Sequence, residues 1–97
     1  MKIKRFKEEI RKVSKYFIDD MSAAYYIFRV DKQYEDDLEV TKIYSYHPEL
    51  GLEKIEDQSA EKYEISLRDF VIIFESNSLK KTKDYLMMLI DANKYNV

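Results

Sequence analysis

The chain contains no cysteine, no tryptophan, one glycine, one proline and one histidine among 97 residues. Without cysteine there are no disulfides, no thiolate zinc ligands and no cysteine nucleophile. A single glycine, Gly51, excludes the glycine-rich loops that cradle phosphates. Ser22, Ser59, Ser66 and Ser78 also lack the glycine-flanked turn of a serine nucleophile. So few glycines and prolines argue against a sheet sandwich, which needs many tight turns. Long hydrophobic runs are missing as well. Runs such as Phe70–Phe74 and Tyr85–Ile90 fall far short of the roughly 20 residues of a membrane span. The basic N-terminus leads into no secretory apolar run. The expectation is a cytoplasmic protein with no membrane partner.

Charge, by contrast, is plentiful and unevenly divided. Met1–Lys15 carries seven basic residues and two acids, whereas Asp19–Asp57 carries eleven acids and four bases. The remainder is balanced, and the net charge is −2. A chain that is nearly neutral overall but dipolar in sequence can offer surfaces of opposite sign to different partners.

Ninety-seven residues make one domain, 1–97, large enough for a core without staples. Ile3, Phe6, Ile10, Val13, Phe17 and Met21 recur at helical spacing, which predicts a long N-terminal helix over 2–21. From Ala23 the period becomes two. Two alternating runs flank the polar stretch Gln33–Asp37, so an antiparallel hairpin is the simplest reading. In its second strand Leu38, Val40, Tyr44 and Tyr46 fall on one face by alternation. His47-Pro48 ends that strand, and Glu61–Ser66 supplies a third. Over 67–75 a strand-like composition competes with helical spacing of Leu67, Phe70, Val71 and Phe74. Ser66 and Asp69, read as an N-cap pair, tip the reading towards a short helix. Asn77 or Ser78 caps a last helix from Leu79, with Leu79, Leu86, Leu89 and Ile90 inside, joined by Met87 or Met88. The fold expected is α+β: a long N-terminal helix, a two- or three-stranded antiparallel sheet, and one or two C-terminal helices packed on that sheet.

No residue set composes a catalytic or metal site. His47 has no evident orienting carboxylate and reads as a loop residue. Asp31, Glu35, Asp36, Asp37 and Glu39 lack the turn glycine of a calcium loop. Glu39 and Lys42 are three apart, so on a strand they face opposite sides and cannot form a nuclease-type pair. No catalytic residue, metal or cofactor is expected, and the chain reads as a non-enzyme.

Nine tyrosines are a heavy load for this length, and tyrosine is enriched at interfaces. The leading expectation is therefore a protein-binding module that inhibits or regulates a larger protein with a basic, nucleic-acid-binding surface. Small acidic phage, plasmid and immunity proteins act this way, anti-CRISPRs and nuclease inhibitors among them. Asp31, Glu35, Asp36, Asp37 and Glu39 would steer the encounter, and Tyr34, Tyr44 and Tyr46 would anchor it. One alternative is a small nucleic-acid-binding regulator using Lys4, Arg5, Lys7, Arg11, Lys12 and Lys15 on the N-terminal helix. The other is an oligomeric structural protein joined through that helix's apolar stripe. Monomer and homodimer are both compatible with the sequence.

Overall fold

A computed structural model describes residues 11–56 and 60–94, with side chains up to Ala92. Strands β1 (Tyr16–Asp20), β2 (Tyr25–Tyr34), β3 (Asp37–His47), β4 (Gly51–Lys54) and β5 (Lys62–Ser66) come first. A single 3-10 turn at Leu67–Asp69, strand β6 (Ile72–Ser76) and helix α1 (Leu79–Lys94) complete the order.

Every pairing is antiparallel, in the order β4-β3-β2-β1-β6, with β5 added along the first half of β3. β4 takes the second half, 44–47. β5 and β6 therefore sit at opposite edges of the sheet, yet only residues 67–71 join them. Such a short crossover requires the sheet to roll up. Phe70 crosses the concave side, its ring 4.9 Å from Phe17 and 5.4 Å from Phe28.

Both faces of the rolled sheet are consequently buried. Phe17 opposes Phe28, and both join Val13, Leu38 and Val40 on the concave face. Ile18 opposes Ile27, and these join Tyr44 beneath Leu86 and Ile90 of α1 on the convex face. A bulge in β3 makes this possible: Ile27 faces Tyr44 while Phe28 faces Lys42, leaving Ile43 as the extra residue. The extra residue reverses the alternation. Tyr44 and Tyr46 thus lie on the opposite face from Leu38 and Val40, contrary to the single face expected.

The expected fold is overturned on its main point. The molecule is chiefly a six-stranded antiparallel sheet with one C-terminal helix, not a long helix with a two- or three-stranded sheet. Residues 1–10 lie outside the described part, but 16–20 of the expected helix form a central strand. Ile18, off the helical stripe, is wholly buried, whereas Met21, on it, is 53% exposed. A strand covered on both sides shows no alternation, so its apolar residues can mimic a helical period. Of the expected apolar stripe, Phe17 lies inside the chain's own core, and Ile3, Phe6 and Ile10 lie outside the described residues.

Over 67–75 the strand prevails. Ser66 has extended backbone angles and no capping hydrogen bond from its side chain, so the turn ends after Asp69 and β6 pairs with β1. The last helix begins as expected. Ser78 caps it, its Oγ accepting the Lys81 N–H at 3.3 Å. Thr82 and Leu86 face inward, and Tyr85 stacks on Phe74 at 4.3 Å. Met87 and Met88 are exposed instead of internal. No helix among the described residues is long and apolar enough to cross a membrane.

Candidate binding site

The roll leaves the concave face incompletely filled at one end. A cavity of about 360 Å³ remains there, lined by Asp19 and Met21 of β1 and its following turn, Tyr26 and Phe28 of β2, Lys42 of β3, Tyr63 and Ile65 of β5, and Asp69 and Phe70 of the crossover. The strand residues arrive by register. Phe17 and Asp19 point the same way, opposite Phe28 and Tyr26, and Phe28 neighbours Lys42. A largely aromatic cavity with a few polar groups aimed into it is the commonest form of binding site.

Asp19 is the unusual member. It is 2% exposed, and its Oδ1 accepts the Val71 N–H at 2.8 Å. The register of β1 against β6 slips at this point, and the Asp20 N–H goes to the Val71 carbonyl at 2.9 Å. The carboxylate thus takes the place of a ladder bond in a strand bulge. Desolvation pushes the Asp19 carboxyl above its ordinary value, opposed by the Val71 hydrogen bond and reinforced by neighbouring Asp20.

That direction gives a stability prediction. The folded state holds the Asp19 proton to higher pH than the unfolded chain, so the parent loses stability as pH rises from about 3.8 through the raised titration. Asp19→Asn keeps an acceptor for Val71 and removes the charge. It should melt above the parent at neutral pH, and the gap should close as pH falls below the ordinary carboxylate range. Thermal melts from about pH 3 to about pH 7 measure this.

Lys42 occupies the opposite wall. Its Nζ lies 4.2 Å from the Tyr26 ring centre, 5.4 Å from that of Tyr63 and 3.9 Å from a Glu61 carboxylate oxygen. Burial, with a hydrogen bond and negative charge from Glu61, raises the Tyr63 hydroxyl's pKa. Met21 in the cavity wall is 53% exposed, and Val71, next in sequence to Phe70, is 59% exposed. Ser22, next to Met21, has a left-handed φ of 71°, with its N–H held by Asp20 Oδ1 at 2.9 Å.

The acidic hairpin adjoins this cavity through the 3-10 turn. The Leu67 N–H donates to the Asp36 carbonyl at 2.6 Å and Arg68 pairs with the Asp36 carboxylate at 3.3 Å, one residue before Asp69 enters the wall. Glu35 heads the two-residue turn with a φ of 52°, and Gln33 donates to its carbonyl at 2.9 Å. Asp31 is engaged inside the hairpin by Arg29 Nε at 2.8 Å and the Thr41 hydroxyl at 2.5 Å. Desolvation alone would raise the Asp31 carboxyl, but these bonds, with the Arg29 and Lys62 charges, hold it below its ordinary value. Glu39 stands across from Glu64 on one side and Lys32 on the other. Tyr34 is exposed, with Lys32 Nζ 4.8 Å from its ring.

The residues expected to form one surface are therefore separated. Tyr34, Glu35, Asp36, Asp37 and Glu39 cluster at the hairpin end, while Asp31, though exposed, is paired with Arg29 and Thr41. Tyr44 is core, and Tyr46 stacks on Tyr25 at the far end of β3. Of the basic set, Lys4, Arg5 and Lys7 lie outside the described residues. Arg11 pairs with Glu75, Lys12 is exposed and Lys15 lies 5.7 Å from the Tyr16 ring, none of them on a helix. His47 meets Tyr26 edge-on at 5.8 Å. Among the described residues no group of three or more acids or histidines could hold a metal ion.

Sequence reading missed Asp19, Tyr26, Lys42, Tyr63 and Asp69 as a group. One signal was available: Lys42 shares the parity of Leu38 and Val40, which puts a lysine on the apolar side of a strand. Compared with known protein families, curated proteins and solved structures, the chain matches none.

Proposed function

We propose that this chain is a non-enzymatic protein-binding module that inhibits or regulates a larger protein with a basic surface, such as a nuclease or another nucleic-acid-binding machine. The observation that carries the reading is the open aromatic cavity, with exposed Met21 in its wall, joined to an acidic turn through Leu67–Asp69. Exposed apolar side chains around a concavity supply contact area that is desolvated on binding. Carboxylates at its border accelerate and orient encounter with a cationic partner.

Glu39 and Glu64, paired across β3 and β5, add negative charge to this end of the sheet on the face away from the cavity, with Lys32 across from Glu39 as the offsetting cation. An inhibitor of the anti-CRISPR or nuclease-blocking kind would use such a surface to stand in for phosphates. The experiment is charge reversal: Asp36→Lys, Asp37→Lys and Glu39→Lys together should leave the circular dichroism spectrum intact and weaken partner binding. Undiminished binding by the folded triple variant removes the proposal.

A further inference from the structure

Three properties of the cavity bear on what it accepts. Asp19, Asp69 and adjoining Glu61 outnumber Lys42, so its electrostatic preference is for a cation. Its walls already hold one, since the Lys42 ammonium rests against the faces of Tyr26 and Tyr63. Finally, Asp19 Oδ2 has no donor among the described residues, whereas Oδ1 has the Val71 N–H. Among the described residues no side-chain oxygen shut off from solvent lacks a partner, so the small exposure of Asp19 is assigned to Oδ2, on the cavity that Asp19 lines.

We propose that the cavity receives a lysine or arginine side chain of the protein partner, with its charged head on Asp19 Oδ2 and its methylene stem along Phe28, Ile65 and Phe70. This rests on the binding-module reading and specifies the anchor. A carboxylate with unused lone pairs gains a charge-assisted hydrogen bond, and a guanidinium fits it best. The stem buries against rings without desolvating further charge. Lys42 does not make this an anion site, because two ring faces and Glu61 already occupy its ammonium.

The test uses small probes and no partner, so it stands apart from the charge-reversal experiment. The protein, with carbon-13 methionine methyls, is titrated with n-butylguanidinium, its neutral analogue n-butylurea, and valerate. n-Butylguanidinium should shift the Met21 methyl and leave Met87 and Met88 unmoved, with a dissociation constant on the order of millimolar. n-Butylurea should bind about tenfold more weakly, and Asp19→Asn should weaken n-butylguanidinium by about tenfold without altering n-butylurea. Because that variant is expected to be the more stable protein, loss of binding in it is not loss of fold. Lys42→Met should bind n-butylguanidinium as well as the parent or better. Equal affinity for the charged and neutral probes overturns the proposal, as does an Asp19→Asn variant that binds like the parent. Valerate binding that disappears in Lys42→Met overturns it too, showing an anion site.

Discussion

Phe17→Ala should destabilise the protein by about 3–5 kcal/mol, the cost of truncating a fully buried aromatic. Phe17 is wholly inaccessible, stacked on Phe28 at 5.4 Å and edge-on to Phe70 at 4.9 Å. Together with Phe28 it pins the crossover to the sheet through Phe70. Alanine would leave a void bounded by the backbones of three hydrogen-bonded strands, which cannot collapse to fill it. Domains of this kind are stable by roughly 5–15 kcal/mol, so the variant should be partly or wholly unfolded at modest temperature. Urea denaturation followed by circular dichroism measures the loss. A decrease below about 1 kcal/mol would mean that residue 17 lies outside the core.

Leu86→Ala should cost about 2–5 kcal/mol for a different reason. Leu86 is wholly buried on the inner side of α1, set with Ile90 over Ile18, Ile27 and Tyr44 on the convex face. Its removal loosens the helix from β1 and β6 and leaves the Phe17 cluster untouched. The two clusters lie on opposite sides of one sheet, so the double variant should lose close to the sum of the single losses. Marked non-additivity in denaturation midpoints would indicate a single shared core instead.

Those two faces explain how much of the fold the sequence disclosed. The β2–β3 hairpin, the β5 segment and the last helix were readable, because each shows a clean period or a cap on one exposed side. β1 was not, because Phe17, Ile18 and Asp19 are all buried and alternation needs a wet face. β6 was misread for a related reason. Phe74 packs under Tyr85 while Ile72 joins the concave cluster, because the register slip opposite Ile18 and Asp19 leaves Ile73 as an extra residue and breaks the alternation.

The candidate site was legible only at the hairpin. Its acids announce themselves by local density, and Glu35 and Asp36 do form the turn. Asp31 looked equivalent in sequence, yet its bulge position places it against Arg29 and Thr41. The cavity could not be read, since Asp19, Lys42, Tyr63 and Asp69 meet only through the rolling of the sheet.

The most direct test of the recognition surface is the salt dependence of affinity between the purified chain and the protein it retains. For the parent, affinity should fall steeply as ionic strength rises, because exposed carboxylates act over about a Debye length of 8–10 Å. For the folded variant with lysine at positions 36, 37 and 39, affinity at low salt should drop at least about tenfold and the salt slope should flatten or invert. Parent and variant curves that superimpose would contradict the account and leave the acidic turn a solvated end of the sheet.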